Sequence, residues 1–322
     1  MTEAERTAPV VVTGATGFIG SQLVATLAAR GYAVRAVTRR GNRRSLPPGV
    51  ERHEIANLVG TEWAGVLRGA DAIVHTAAMA HRAEPGTAEE RERIRAVNVE
   101  ATGELAAAAN ACGVRRMVLL SSIGVLGAQS GDGAFNASTP PAPHDFYSRT
   151  KLESERIAMA LAAQGSVEVS IVRPPLVFGP HAPGNFGRLM KGLQRGIPLP
   201  LGAVHNRRSF VSVWNLCDFV IACLTSGGAI GLPLLVADEE VVSIAELLRR
   251  CARILGNRLP PLPVPVALLR LAGAVVGRQA DIERLCSSLI VDTRDSQTRT
   301  GWRPPLSLSE GLYRTLRPEH VA

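Results

Sequence analysis

Tyr147 and Lys151 are the residues whose types and spacing first point to chemistry. They are four positions apart in a stretch with helical apolar spacing, so their side chains share one face of a helix. Arginine supplies nearly all the positive charge of the chain, and Lys151 is one of only two lysines. A compact ammonium lowers the pKa of a neighbouring phenol, which a bulky guanidinium does poorly. The pair is therefore suited to proton transfer.

A second set of candidates is the serine pair Ser121 and Ser122, at the end of a strand predicted over 116–121. Ser122 precedes Tyr147 by 25 residues. In parallel α/β sheets, ligands bind beyond the carboxyl ends of the strands. We therefore expect the serine hydroxyls to face a ligand at that edge.

A glycine-rich turn lies near the start of the chain. Residues 9–13 form an apolar, β-branched run that predicts a buried parallel strand, and helical apolar spacing begins after Gly20. Between them, Gly14 allows a tight turn, Gly17 lets the backbone approach a pyrophosphate, and Gly20 lets the helix pack on the strand. This context predicts dinucleotide binding, to which Thr16, Phe18 and Ile19 of the same turn would contribute.

The end of the second predicted strand, 33–38, bears on the choice of cofactor. Enzymes selective for NAD usually carry an acidic residue there, which binds the ribose hydroxyls. This chain has no acidic residue there and instead places Arg39, Arg40, Arg43 and Arg44 within six residues. Guanidinium groups suit a 2′-phosphate, so the sequence favours NADP(H) over NAD(H). The alternative is a solvated basic loop.

The order of the remaining elements predicts the fold class. Strands are expected at 50–55, 71–76 and 116–121, with a long helical stretch over 88–111. Alternating strands and helices indicate a Rossmann-type, doubly wound parallel sheet in an α/β fold. We expect a dinucleotide-binding domain over 1–178 and a smaller substrate lobe over 179–322, with 208–227 packing back on the first domain.

Composition narrows the function classes. The net charge is +8, but the arginines are spread along the chain and aromatic residues are only 4%, so nucleic acid is not expected as a partner. Five scattered cysteines predict no metal site and reduced thiols in a cytoplasm. The apolar stretch 264–276 is too short to span a bilayer. A packed helix is the favoured interpretation of it, and a helix on a membrane surface is the alternative.

Taken together, the motifs resemble those of the extended short-chain dehydrogenase/reductases that act on sugar nucleotides. The resemblance extends over nearly the whole chain. It rests on TGATGFIG at 13–20, DAIVHTAA at 71–78, VNVEAT at 97–102, LLSSIGVLG at 119–127, YSRTK at 147–151, RPPLVFGP at 173–180, RRSFVSVWNLCD at 207–218 and GWRPPLSLSEGL at 301–312.

The resemblance implies roles for particular residues. Ser122 matches the catalytic serine or threonine, Tyr147 the general acid/base and Lys151 its electrostatic partner. Further cofactor contacts are implied for Asn57, Leu58, His75, Ala77, Asn98, Ser121 and Pro174. Substrate contacts are implied for Ser122, Asn185, Arg208 and Arg284, with Arg208 on the substrate diphosphate. For Asn185 a helix N-cap is the alternative, and Leu126 replaces a tyrosine common in the family.

Three reactions of the family compete. A 4,6-dehydratase needs an Asp-Glu pair directly after the catalytic serine or threonine, where this chain has Ile123 and Gly124. We expect NADPH-dependent reduction of the 4-keto group of a nucleotide-linked sugar, with a UDP-linked, N-acetylated 6-deoxy sugar favoured. The alternatives are an NAD-dependent UDP-sugar 4-epimerase and, more remotely, a non-catalytic NADP-sensing protein. A homodimer is left open.

Overall fold

The computed structural model describes residues 8–80, 85–131, 133–165, 167–256 and 261–318. Its centre is a parallel sheet of seven strands in the order β3-β2-β1-β4-β5-β6-β9. The strands are β1 Val10–Thr13, β2 Val34–Arg39, β3 Glu51–Ile55, β4 Ala72–His75, β5 Arg116–Leu120, β6 Glu168–Arg173 and β9 Pro233–Leu235. The order reverses direction between β1 and β4, which confirms the doubly wound fold expected from the sequence.

Helices cover both faces of this sheet, and further helices pack outside it. They are α1 Phe18–Ala29, α2 Trp63–Leu67, α3 Ala88–Arg95, α4 Ala101–Ala111, α5 Phe146–Gln164, α6 Gly184–Gln194, α7 Val213–Thr225, α8 Ile244–Leu255, α9 Val266–Val275, α10 Gln279–Cys286, α11 Arg294–Thr300 and α12 Leu308–Leu316. The helical stretch expected over 88–111 contains a π-helical turn, Ala96–Glu100, between α3 and α4.

The chain crosses to a second packing unit after β6 and then returns. Strands β7 (Leu176–Phe178) and β8 (Phe210–Ser212) pair in parallel outside the main sheet. Helix α7 then packs its apolar face against α1 and β1 in one buried cluster that includes Leu23, Phe219 and Val220. Strand β9 joins the sheet beside β6. The sheet thus takes strands from both halves of the sequence.

A separate apolar core supports the substrate lobe. Helices α6, α8 and α12 pack around Phe178 and Phe210, the buried side chains of β7 and β8. Helix α8 begins at the cap Ser243, whose hydroxyl accepts a hydrogen bond from the Glu246 amide, and ends at Gly256 in the left-handed conformation. This lobe lies against the carboxyl edge of the sheet through β8 and α7.

Helix α9 corrects one expectation from the sequence. The apolar stretch 264–276 does contain a helix, but only Leu269 and Gly273 of α9 are buried. Packing against the core is therefore the wrong interpretation for most of its apolar side chains. No helix among the described residues is both long enough and apolar enough to cross a bilayer.

Candidate active site

The glycine turn between β1 and α1 has the geometry that its sequence predicts. Gly14 has a φ of +68°, and a Cβ there would lie 2.8 Å from the Ala77 amide nitrogen. A Cβ on Gly20 would overlap the Gly14 carbonyl oxygen. Gly17 immediately precedes α1 and is exposed to solvent. A larger residue would block the close approach of the loops at Gly14 and Gly20, so the turn has room for a phosphate only with glycine here.

The arginines after β2 divide into two groups. Arg44 donates to the Thr16 carbonyl (2.6 Å) and Asn42 to the Thr16 hydroxyl (3.2 Å), so these two side chains brace the glycine turn. Arg39 and Arg40 are exposed, and neither side chain has a partner among the described residues. Arg43 is also exposed and has no side-chain partner among the described residues, so Arg39, Arg40 and Arg43 are the arginines of this segment that are available to bind a ligand.

The ends of β2 and β3 form the remaining part of the edge where adenosine is expected to bind. The Arg40 amide donates to the Ile55 carbonyl (2.8 Å), which ties the end of β2 to the end of β3. Asn57 and Leu58 follow β3 directly, with Asn57 exposed and Leu58 half-buried. The structure therefore brings the residues expected near adenine to the same edge as Arg39 and Arg40.

His75, at the end of β4, is used inside the protein. Its Nδ1 lies 2.6 Å from the Thr13 hydroxyl and its Nε2 3.2 Å from the Thr102 hydroxyl. Burial first, and the positive charge of Lys151 second, lower the pKa of His75 to about 3. His75 is therefore neutral at physiological pH and joins β1, β4 and α4. Ala77, two residues on, contacts the glycine turn.

Asn98 lies in the π-helical turn and is fully buried. Its amide oxygen accepts from the Met79 amide (2.8 Å), and its amide nitrogen donates to the Thr150 hydroxyl (3.0 Å). The Asn98 side chain thus holds the loop after β4 against α5. Asn98 therefore lies behind the loop after β4, on the side where the sequence analysis expects the cofactor.

Ser121 and Ser122 have different surroundings. The Ser121 hydroxyl donates to the buried carboxylate of Glu155. The Ser122 hydroxyl caps a short 3-10 turn by accepting from the Gly124 amide (3.1 Å). Pro174 lies at the same edge and accepts a hydrogen bond from the Ile123 amide (2.9 Å). Of the two serines, Ser122 is the one whose hydroxyl is not held by a buried charge.

Position 124 connects the serine loop to the tyrosine helix. A Cβ on Gly124 would lie 2.5 Å from the Ser148 Oγ, one residue from Tyr147. Ile123 is buried in an apolar cluster with Leu126 and Phe135. The loop therefore packs closely on α5, and neither Ile123 nor Gly124 supplies the carboxylates that dehydration needs.

Tyr147 and Lys151 lie one turn apart on α5, as their spacing predicts. Lys151 is 1% exposed, and its ammonium donates to no described residue. Burial lowers the pKa of Lys151 to about 8, and the carboxylate of Glu155 opposes that shift. Burial and the charge of Asp145 raise the pKa of Tyr147 above its usual value. At neutral pH, Lys151 is therefore a buried cation and Tyr147 a neutral phenol.

Glu155 is a residue that the sequence analysis missed. It is one further turn along α5 and accepts two hydrogen bonds from Arg173 at the end of β6 (2.9 and 2.6 Å). Glu155, Arg173 and Ser121 form a buried cluster behind Lys151. The spacing Tyr147, Lys151, Glu155, four residues each, was the available signal. A carboxylate there keeps a buried ammonium charged.

Asp145 is the second missed residue. One of its oxygens caps α5 by accepting from the Ser148 amide (2.8 Å), and the other lies 3.2 Å from the Arg284 guanidinium and 3.2 Å from His144. Burial opposes ionisation of Asp145, but the hydrogen bonds from His144 and Ser148 lower its pKa to about 2. Arg284, expected at the substrate, is thereby tied to the N-terminus of the catalytic helix.

Arg208 and Asn185 lie apart in the substrate lobe. Arg208 donates to the carbonyls of Arg284 and Ser287, the latter at 3.1 Å, while its Nε is buried with no partner among the described residues. Asn185 is inside α6, where its side chain accepts from Arg188 (2.6 Å). The N-cap of α6 is Pro183, so the alternative of Asn185 as a helix cap is wrong.

Two features of this edge fit a bound dinucleotide. The glycines allow the close packing that places the N-terminus of α1 at this edge, since a Cβ on Gly14 or Gly20 would meet protein atoms. Lys151 presents a buried ammonium that lacks a partner among the described residues. A ribose offers hydroxyl acceptors to such a group, and a pyrophosphate accepts from the N-terminus of α1.

Comparisons with known proteins identify the family of this chain. The profile of the NAD dependent epimerase/dehydratase family matches residues 10–232. A UDP-glucose 4-epimerase of Vibrio cholerae is 36% identical over 310 residues, covering 95% of this chain and 94% of that protein. An N-acetyl-alpha-D-glucosaminyl-diphospho-ditrans,octacis-undecaprenol 4-epimerase of Escherichia coli O157:H7 is 24% identical, covering 97% and 95%.

Among solved structures, MoeE5 in complex with UDP-glucuronic acid and NAD is similar with a TM-score of 0.77 and 27% identity, covering 96% of this chain and 98% of that one. The chain therefore belongs to the NAD dependent epimerase/dehydratase family, among the extended short-chain dehydrogenase/reductases. It is an NAD(P)-dependent enzyme of that family.

Proposed function

We propose that this enzyme inverts the configuration at C4 of a UDP-linked sugar, with NAD as a recycled cofactor. The observation that carries the proposal is the 36% identity with a UDP-glucose 4-epimerase across 95% of the chain. The expectation of a 4-keto reductase, which the sequence favoured, has no such support among the relatives. Dehydration lacks the carboxylates it needs, since Ile123 and Gly124 follow Ser122.

The residues of α5 and the serine loop supply the acid–base chemistry. Tyr147 would take the proton of the sugar 4-hydroxyl and later return it to the same oxygen, and Ser122 would hydrogen-bond that oxygen throughout. Lys151 holds a positive charge one turn away, which favours the ionised phenol. When bound, NAD would accept the hydride from C4, return it to the opposite face of the sugar, and add the positive charge of its oxidised ring beside Tyr147.

The substrate lobe would supply the binding energy. The Nε of Arg208 is buried and has no partner among the described residues. The Arg208 guanidinium also donates to the backbone carbonyl of Arg284, so the two residues are neighbours. Two guanidinium groups suit a diphosphate, which they can bind through several charge-assisted hydrogen bonds. Holding the diphosphate fixes the sugar against Tyr147 without blocking the rotation that epimerisation requires. Asn185 stays a weaker candidate because its side chain is engaged by Arg188.

A 4-keto reductase that uses NADPH is the second candidate, and one observation favours it. Arg39 and Arg40 are exposed at the end of β2, with no carboxylate in the place that NAD-selective enzymes use. These two guanidinium groups could bind a 2′-phosphate. The cofactor preference and the reaction must therefore be tested together.

The compartment proposed for either reaction is the cytoplasm. All five cysteines are free thiols, and burial raises the pKa of Cys251 to about 12. Unpaired thiols suit a reducing compartment.

The deciding experiment incubates the purified enzyme with UDP-glucose and UDP-N-acetylglucosamine, with NAD or NADPH, and separates the products by chromatography. An epimerase yields the C4 epimer with no net change in nicotinamide absorbance. A reductase leaves both sugars unchanged but consumes NADPH in proportion to an added UDP-4-keto sugar.

The double variant Arg39→Ala/Arg40→Ala sharpens this result. For an NAD-dependent epimerase, we expect NAD affinity within about threefold of the parent, since neither arginine is needed for an unphosphorylated ribose. A loss of more than tenfold in NADPH affinity, roughly 1.4 kcal/mol, together with poor NAD binding by the parent, would favour the reductase.

A further inference from the structure

Helix α9 turns an apolar face to solvent. Its exposed side chains are Leu268 (55%), Leu271 (63%), Val275 (80%) and, just past its end, Val276 (67%). Positions 268, 271 and 275 recur at three- and four-residue intervals, so they lie on one side of the helix. Leaving such a stripe in water is costly, and exposed patches of this kind mark interaction sites.

The helix is held in this orientation by its other side. Gly273 lies so close to α10 that a Cβ would be 2.8 Å from the Ile282 side chain. Arg270 forms two hydrogen bonds with Glu283 of α10 (3.0 and 3.1 Å). Helices α9 and α10 therefore form a packed hairpin, and the exposed stripe is a fixed surface.

Two further side chains extend the stripe into an apolar patch. Leu262 (47% exposed) precedes α9, and its amide donates to the Leu199 carbonyl (2.8 Å), beside Ile197 (49% exposed). We define the apolar patch as Ile197, Leu262, Leu268, Leu271, Val275 and Val276. It holds six of the nine large apolar side chains that are exposed among the described residues. These side chains are therefore concentrated, and scattered single exposures are few.

The segment that leads to Ile197 is positively charged. Lys191 and Arg195, both exposed, come just before the loop that carries Ile197. Two copies of this surface would bring like charges together, in a protein with a net charge of +8. An anionic lipid surface offers both an apolar layer and the opposite charge.

We infer that the α9–α10 hairpin docks on the surface of an anionic lipid bilayer. Helix α9 has ten residues, enough to lie in the headgroup region but too few to span. Helix α10 carries Arg284, whose guanidinium contacts Asp145 at the start of the catalytic helix. Docking through the hairpin therefore holds the substrate side of the candidate site at the bilayer. The inference is independent of which sugar is converted.

The experiment is co-sedimentation of the full-length protein with vesicles of phosphatidylglycerol and phosphatidylcholine, against vesicles of phosphatidylcholine alone. The test variant is Leu271→Asp/Val275→Asp. Its matched control is Leu232→Asp/Tyr313→Asp, which also replaces two exposed apolar side chains by carboxylates, away from the patch. We expect the parent to bind the anionic vesicles. The test variant should lower the partition coefficient at least tenfold, and the control by less than threefold.

Three outcomes would overturn the inference. They are failure of the parent to bind anionic vesicles, equal losses in the two variants, and a dimer of the parent that the test variant alone dissociates in analytical ultracentrifugation while vesicle binding is unchanged. Turnover of UDP-glucose without vesicles is measured on the same samples. An inactive parent that still binds vesicles would refute the proposed function and leave the docking intact.

Discussion

The candidate site is assembled from two regions that hold their functional side chains in different ways. At the sheet edge, the supporting side chains are buried and paired: Asn98 with Met79 and Thr150, and Glu155 with Arg173. In the substrate lobe, Arg208 is held only by carbonyl oxygens, and Arg284 by a single carboxylate at 3.2 Å.

This difference separates chemistry from recognition. Proton transfer needs groups fixed to a fraction of an ångström, and a buried network of paired polar groups provides that rigidity. Recognition of a sugar nucleotide needs cations that can adjust to the ligand, and arginines held by few contacts can do so. Substitutions at the sheet edge should therefore change kcat, and those in the lobe should change KM.

The largest expected effect is at Tyr147. Tyr147 is a residue of α5, and Tyr147→Phe keeps its aromatic ring and removes only the hydroxyl. Folding and cofactor affinity should therefore be retained. We expect kcat to fall by roughly 10²-fold or more, the usual scale for a positioned acid–base group. Steady-state kinetics with cofactor binding by fluorescence would measure both.

The control for this variant is Tyr313→Phe, at an exposed position on α12. If Tyr147→Phe kept kcat within a few-fold of the parent, Tyr147 would be a structural residue and the rigid region would not be the chemical one.

An intermediate effect is expected at Arg208. Arg208→Ala should raise KM for the nucleotide-linked sugar at least tenfold and leave cofactor affinity nearly unchanged, because its guanidinium lies in the lobe and not at the glycine turn. The neighbouring Arg207→Ala is the matched control, since Arg207 is more exposed.

Arg208→Lys addresses the structural role of this side chain, which also donates to two carbonyls. If the loss of Arg208 destabilises the folded protein in both variants, thermal unfolding will show a lower melting temperature for both. An unchanged KM in a stably folded Arg208→Ala protein would contradict the division between the two regions.

The smallest effect concerns stability at the sheet edge. Burial lowers the pKa of His75 to about 3, so below pH 6.5 the unfolded chain binds a proton there that the folded chain does not. The free energy of unfolding should therefore decrease as the pH is lowered from 6.5 towards 3, by at most about 1.4 kcal/mol per pH unit from this group. His75→Gln should remove that contribution, as measured by urea unfolding at pH 7, 6 and 5.

Asp238 contributes with the opposite sign and must be separated. Burial raises the pKa of Asp238 to about 7, so its contribution to stability is lost as the pH rises through 7. It is present in both proteins and cancels when their slopes are compared. Identical slopes for the parent and His75→Gln would mean that His75 is not held neutral by the fold.

The sequence by itself determined the elements and the reacting groups. A β-branched run followed by three spaced glycines has few other structures available, and a tyrosine four residues before a lysine shares its helix face whatever the tertiary fold. The doubly wound fold class and the family resemblance followed from such local patterns. The choice between an epimerase and a reductase did not, because it rests on Arg39 and Arg40, whose exposed side chains are compatible with either cofactor.

Only the tertiary structure decided which polar groups are already engaged. Ser121 and Ser122 are adjacent residues of the same type, and the sequence alone does not distinguish them. Glu155, 34 residues after Ser121, accepts a hydrogen bond from Ser121 and not from Ser122. Asp145 meets Arg284 across 139 positions, and Gly124 lies against Ser148 of α5. The exposure of α9 is of the same kind, since an apolar helix is buried or exposed according to what else packs there, and local periodicity carries no record of that partner.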